Sequence, residues 1–393
     1  MELASSLKGK INPRLLGVSA SGVRSFDAMV SSIPGVVKLT IGEPDLNVPE
    51  HVKKAANTSI TDNDSHYAPQ NGTKEFRDAI ANYIHRNRGL TYDPETEIVA
   101  TIGATEAISS TFFSILKAGD KIIIPTPEWS LYFPLAELAG AKPILVDTSA
   151  DNFIMTPKHL EKVLEEEGPA VKAILLNYPN NPTGREYPED VLRGLSKVIE
   201  EHNLFCVADE IYSDLVYNGT HFSIANVIQD RTVLISGLSK SHAMTGYRLG
   251  YLCAPAELAA QIEKMHALMV TAVNDSAQAA GAEALNNGAM DPVESSKIYI
   301  ERRDYLSQVL NEIGMQPVSP DGAFYLFAKI PESFGDDDLN FATRLAKEGK
   351  VGCVPGSYFG NGGGGYVRFS YAASMDTIQE AAKRLKAFVE ANK

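Results

Sequence analysis

Little in this sequence points to a disulfide scaffold, a membrane or nucleic acid. Three cysteines stand among 393 residues, Cys206, Cys253 and Cys353. Their number is odd and no C-x-x-C occurs, so a disulfide framework is excluded and no metal site is expected. Cys206 and Cys253 lie in apolar runs and read as core residues, and a reducing compartment fits. No apolar run approaches the ~18 residues needed to span a bilayer. Residues 1–6 lack a basic segment leading into an apolar one, so no signal peptide is expected. Positive charge is scarce: 36 Lys and Arg face 49 Asp and Glu, for a net charge of −13. An acidic chain without a basic stripe is a poor partner for nucleic acid. The longest like-charge runs are Glu165-Glu166-Glu167 and Asp336-Asp337-Asp338. A cytoplasmic protein kept apart by like charge is the expectation. There is no internal repeat, and glycines 362–365 form the one low-complexity tract.

What is present is an ordinary globular composition, 44% hydrophobic and 22% charged, in a chain long enough for two domains. From about residue 95 to 255, short apolar runs alternate with helical periodicity. The runs cover 98–101, 121–124, 142–146, 173–176, 205–208, 233–236 and 249–252. Continuous apolar character suits strands covered on both faces. The segment 189–202 between two of them has a helical period. This is the βαβ pattern of an α/β fold with a mainly parallel sheet. The texture then changes: helices are predicted over 256–270, 276–286, 292–313 and 376–391, and strands over 323–330 and 366–371. The end of the chain reads as a smaller α+β unit, with the boundary near residue 285.

Several short segments carry chemistry. Lys240 follows a strand in Ser236-Gly237-Leu238-Ser239-Lys240, and Arg248 comes eight positions later. A lysine amine forms Schiff bases when its surroundings lower its pKa, and Ser239 and Arg248 can hold an anion beside it. Read alone, Lys240 is equally a surface lysine after a loop. Asp209 ends an apolar strand, where a ligand-facing carboxylate belongs in an open sheet. It can pair with a protonated ring nitrogen, or cap a helix. Tyr212 is three residues on, as a ligand or as a packed ring. Asn181 lies in a turn, Asn177-Tyr178-Pro179-Asn180-Asn181-Pro182-Thr183-Gly184, whatever its role. Gly103-Ala104-Thr105 join a strand to a helix, where backbone N–H groups can meet a phosphate. Trp129, the sole tryptophan, follows another strand and can stack on a flat cofactor or simply pack. Arg368 interrupts an apolar strand and wants a carboxylate partner, from a substrate or from within.

Taken in order, these residues resemble the class I/II aminotransferases of fold type I, which use pyridoxal 5′-phosphate. The resemblance runs from Ile41-Gly42-Glu43-Pro44-Asp45 through Tyr67 and Asn181-Pro182-Thr183-Gly184 to Arg368. It is with the aspartate and aromatic amino-acid kind, and Ser21-Gly22-Val23-Arg24 resembles the arm of N-acetyl-diaminopimelate aminotransferases. The resemblance implies a large cofactor-binding domain over 46–285. The small domain would join residues 1–45 to 286–393. It implies that Lys240 is the Schiff-base lysine and proton shuttle and Asp209 the pyridinium partner. Tyr212 and Asn181 would bind the ring oxygen, and Trp129 would stack. Gly103, Ala104, Thr105, Ser239 and Arg248 would cradle the phosphate. Arg368, Asn181 and the Gly42 backbone would hold the substrate α-carboxylate. Tyr67 would reach the phosphate of a neighbouring subunit, which implies a homodimer with shared sites.

Two positions depart from relatives. Thr105 stands where some aspartate-specific members carry a lysine. Gly237 stands where many have a serine, which leaves Ser239 to serve the phosphate. Arg24 can serve the distal end of an acidic substrate or stay solvated. The expected function is amino-group transfer from an L-α-amino acid to a 2-oxo acid, chiefly 2-oxoglutarate, by a ping-pong route. The alternative is a carbon–sulfur β-lyase on the same fold. A ligand-sensing regulator would need a DNA-binding module, and none is expected before Ile41-Gly42.

Overall fold

The computed structural model describes residues 1–18 and 21–392. A short strand, β1 (Val37–Lys38), precedes the seven strands of the main sheet. These are β2 (Ile98–Thr101), β3 (Lys121–Thr126), β4 (Lys142–Asp147), β5 (Val171–Asn177), β6 (Phe205–Asp209), β7 (Thr232–Gly237) and β8 (Gly250–Cys253). Their spatial order is β2-β8-β7-β6-β5-β3-β4. The five from β4 across to β7 are parallel. β8 runs antiparallel to both β7 and β2. The expected strands are thus all present, but the last runs against the rest and begins one residue late, at Gly250.

The unbroken apolar runs have a direct cause. In β5, Ala173 and Leu175 join one buried cluster while Ile174 and Leu176 join another on the opposite face. The helices Ala104–Ile115 and Ala256–Val270 cover the first face, and Pro157–Glu167 and Glu189–Glu201 cover the second. Alternate side chains point to opposite faces, and neither face meets water, so no polar alternation appears. All three cysteines are buried and unpaired.

The rest of the chain builds a second core. β9 (Gln316–Pro317), β10 (Tyr325–Lys329), β11 (Val351–Gly352), β12 (Val354–Pro355) and β13 (Tyr366–Ser370) follow. An antiparallel sheet has the order β12-β13-β10-β9, and β1 pairs with β11. Its core unites Phe26, Val30 and Leu39 from the start of the chain with Tyr299, Phe341 and Phe388. The helix Asp275–Asn287 packs on Glu50–Thr61 and Lys74–Arg88, whereas Asp291–Glu312 packs on Met375–Ala391. The last helix starts one residue before its predicted place because Ser374 caps it, accepting from Thr377 N–H at 3.2 Å.

Candidate active site

The parallel strands end along one edge of the main sheet, where an open α/β sheet leaves a crevice for ligands. β3, β5, β6 and β7 each deliver a loop there. β8, being antiparallel, begins at that same edge and brings Arg248 with it.

Asp209 closes β6 and is buried. It accepts from the Tyr132 hydroxyl at 2.7 Å and from Ile211 N–H at 3.1 Å. Burial pushes its pKa up to about 6, and these two hydrogen bonds restrain the rise. Tyr212 meets the Tyr325 hydroxyl at 2.7 Å, which ties this turn to β10. Lys240 donates to the Gly42 carbonyl at 2.6 Å. Burial lowers its pKa to about 8; Glu43 and Asp209 resist, while Arg368 and Arg248 assist. The arrangement makes this amine more available as a base or nucleophile than an ordinary lysine.

Arg368, in the middle of β13, is 3% exposed. It donates to Asn181 Oδ1 at 2.7 Å and to the Thr40 carbonyl at 2.6 Å. Its guanidinium lies over the rings of Tyr325 and Phe359, at 4.5 and 5.0 Å from their centroids. Its Nε is buried without a partner among the described residues. A guanidinium held flat with a spare donor suits a planar carboxylate.

The turn after β2 has its own logic. Gly103 adopts φ +77°, in the left-handed region. The position of a Cβ there would lie 2.9 Å from Arg248 Nη2. The helix Ala104–Ile115 follows, and Ala104 N–H and Thr105 N–H have no partner among the described residues. Arg248 Nη1 is braced by the Thr245 carbonyl at 2.9 Å. Two open amides at a helix N-terminus beside an arginine are donors of the kind an anion such as phosphate would use. Ser239 is buried nearby in the chain, one residue before Lys240. Gly237 admits no serine: a Cβ would sit 2.9 Å from Gly250 Cα, because β7 and β8 approach closely there.

Trp129 is half-buried and meets Tyr132 edge-on, with ring centroids 5.1 Å apart. Tyr67 stands apart at 90% exposure, on the segment before the helix Lys74–Arg88. Arg24 is exposed on the helix Gly22–Ser31. Sequence reasoning missed four residues. Tyr132 holds Asp209, and Tyr325 holds Tyr212. Glu128 accepts from Trp129 N–H at 2.8 Å and from Asn180 Nδ2 at 2.9 Å, joining the loops after β3 and β5. Glu43 accepts from the Thr245 hydroxyl at 2.5 Å, beside Lys240. Their only sequence signal is closeness to residues already singled out: Tyr132 follows Trp129 by three, and Glu43 adjoins Gly42.

The family model for aminotransferase class I and II matches residues 34–385. The chain belongs to the class I and II aminotransferases. It is 41% identical to the Bacillus subtilis "Probable N-acetyl-LL-diaminopimelate aminotransferase", covering 96% of this chain and 95% of that protein. It is 35% identical to aromatic-amino-acid aminotransferase 2 of Thermococcus litoralis, over 98% of this chain and 99% of that one. The structure of Thermus thermophilus aspartate aminotransferase with maleate matches with a TM-score of 0.91 at 34% identity. It covers 96% of this chain and 99% of its own. This aminotransferase therefore has the fold-type I architecture and depends on pyridoxal 5′-phosphate. The carbon–sulfur lyase alternative is not retained, since the matched relatives are named aminotransferases.

Proposed function

We propose that this aminotransferase moves the amino group of an L-α-amino acid, of aromatic, aspartate or diaminopimelate type, to a 2-oxo acid. 2-Oxoglutarate is the proposed acceptor, and the two half-reactions share one site in ping-pong order. The observation that carries this reading is the setting of Arg368. A guanidinium with a partnerless Nε suits a group that amino acids and 2-oxo acids both carry, an α-carboxylate. One grip therefore serves both half-reactions.

The donor set fits pyridoxal 5′-phosphate. Gly103, Ala104, Thr105, Ser239 and Arg248 would hold its phosphate, Asp209 its ring nitrogen, Tyr212 and Asn181 its ring oxygen, and Trp129 its face. Bound there, the cofactor supplies a carbonyl carbon for the amino group and a ring that accepts the electron pair left at the substrate α-carbon. The chain's own residues do the rest. Asp209, paired with a cationic nitrogen, would stay ionised, since the added positive charge offsets the burial that raises its pKa. Lys240 Nζ would be the cofactor's anchor, and would remove and return the proton at the substrate α-carbon. Arg368, with Asn181 and the Gly42 backbone, would fix the carboxylate so that this proton faces the lysine.

The two-unit division at 46–285 and at 1–45 with 286–393 is part of the same proposal. So is a cytoplasmic homodimer in which Tyr67 serves the neighbouring site; its near-complete exposure in one chain is consistent with that use. The test is a spectral screen. The loaded enzyme is mixed with each amino acid in turn and its conversion to the pyridoxamine form is followed. Conversion by aromatic, acidic or diaminopimelate-type donors, reversed by 2-oxoglutarate, is expected. Pyruvate release from cysteine without an acceptor would count against the proposal.

A further inference from the structure

Glu106 sits in the first turn of the helix Ala104–Ile115, three residues after the N-cap Gly103. A glutamate there commonly reaches back to the N-cap N–H in a capping box. In this chain Gly103 N–H is already used, donating to the Thr101 carbonyl at 2.8 Å. Glu106 Oε2 instead reaches one residue further, accepting from Ile102 N–H at 3.1 Å. The same oxygen faces His266 Nδ1 at 3.0 Å, and Oε1 accepts from the Ser110 hydroxyl. His266 comes from the helix Ala256–Val270 and is wholly buried, with Nε2 unpartnered among the described residues.

The four N-terminal amides of this helix divide cleanly. Glu106 N–H and Ala107 N–H donate to the Gly103 carbonyl at 3.1 and 3.3 Å. Ala104 N–H and Thr105 N–H stay open. A carboxylate placed two residues away would ordinarily be drawn onto such amides by the helix dipole. His266, Ser110 and Ile102 together engage both of its oxygens instead.

We propose that His266 and Glu106 are a positioning pair for the cofactor phosphate. They lock the turn between Thr101 and Ala104, and they keep the Ala104 and Thr105 amides free for the anion. Neither is among the residues proposed to contact the cofactor. The inference rests on the reading of residues 103–105 and Arg248 as the phosphate cradle.

The test uses the full-length apoenzyme and two probes, pyridoxamine 5′-phosphate and pyridoxamine, with dissociation constants measured by fluorescence titration. The ratio of the two constants reports phosphate recognition alone. Glu106→Ala and His266→Ala are expected to weaken pyridoxamine 5′-phosphate by about tenfold, the scale of one impaired hydrogen bond. Pyridoxamine should change less than about twofold. Glu106→Gln keeps an acceptor for Ile102 N–H and should restore most of the ratio. Equal weakening of both probes would make the pair a general prop and overturn the proposal, as would an unchanged ratio or a Gln variant as weak as Ala. Should either alanine variant fail to fold, the same ratio measured for His266→Asn decides the matter: a lowered phosphate preference is expected, and a ratio unchanged by His266→Asn overturns the proposal. Arg248→Ala separates the two claims. If it abolishes the phosphate preference while Glu106→Ala does not, only the positioning role falls. If it too leaves the preference intact, the cradle assignment itself is wrong.

Discussion

Arg368 and Asn181 lie 187 residues apart in sequence and meet through a 2.7 Å hydrogen bond from guanidinium to side-chain carbonyl. The arginine comes from the small antiparallel sheet and the asparagine from the loop after β5 of the large one. A carboxylate bound at Arg368 therefore registers the position of both sheets at once.

Arg368→Lys is expected to lower kcat/KM for every amino-acid donor, because lysine keeps the charge but loses the planar fork. Arg368→Ala should do more harm. Removing one partner of a buried charged pair typically costs about 2–5 kcal/mol, or roughly 30- to several-thousand-fold. Cofactor absorbance should stay near normal. The comparison to make is aromatic against acidic donors in one mutant. A loss limited to acidic donors would assign Arg368 to the distal carboxylate instead.

Asp209 carries a stability cost in the absence of its cationic partner. Its folded pKa, about 6, lies above the ordinary aspartate value of 3.8. The folded apoenzyme thus holds the proton more tightly than the unfolded chain, and it loses stability as pH rises from about 4 to 6. Asp209→Asn is expected to stabilise the apoenzyme at pH 7 by up to about 3 kcal/mol, while cutting turnover far more than cofactor affinity. Denaturant melts of the apo forms check the first part. An Asn variant no more stable than wild type would show that the site relieves the buried charge in another way.

Lys240 should be the fast-reacting lysine of the apoenzyme. Its pKa is lowered to about 8, chiefly by burial. Modification by trinitrobenzenesulfonate, followed by peptide mass spectrometry, should show a rate midpoint near that pH, against about 10.4 for ordinary lysines. Lys240→Ala should remain folded and lose nearly all transamination. Borohydride reduction of the loaded wild type that labelled a different lysine would remove the assignment.

His221 gives the fold a pH dependence on the alkaline side. It lies between Glu186 at 2.8 Å and Glu210 at 2.9 Å. Burial alone would lower its pKa, but the two carboxylates outweigh this and raise it to about 9. The raised folded value means that the stabilisation is complete below about pH 6.5 and is lost as pH climbs through about 9. It amounts to up to about 3 kcal/mol. Thermal melts between pH 6.5 and 9.5 should fall in wild type and flatten in His221→Gln. An equally steep decline in the variant would place the titration on another group.

The strands β3, β5, β6 and β7 were legible because both faces of each are covered, which leaves an apolar run that needs no knowledge of neighbours. The helix over residues 256–270 was legible from its period, with Ala259, Ile262 and His266 buried along one face. The direction of β8 was not, since direction follows from the connection. Residues 238–249 fold back at the sheet edge without a crossover helix, and only a short 3-10 turn at Thr245–Tyr247 interrupts them. The proposed site residues were singled out through their resemblance to a family in a fixed order. The residues that hold them were not. Tyr132 and Asp209 are 77 positions apart, and Tyr212 and Tyr325 are 113 apart. Such pairs exist only once the sheets have packed, and neither partner carries a local signal for the other.

The antiparallel course of β8 also sets a schedule. β2 has β8 as its neighbour in the main sheet, with Thr101 opposite Gly250. A chain leaving the ribosome carries the turn 102–105 long before Arg248 has been made. On the proposed assignment, no nascent chain ending short of β8 offers the cofactor a complete phosphate seat. Cofactor binding through that seat thus cannot rescue a product truncated before Arg248, and it stabilises only chains in which β8 has joined β2 and β7.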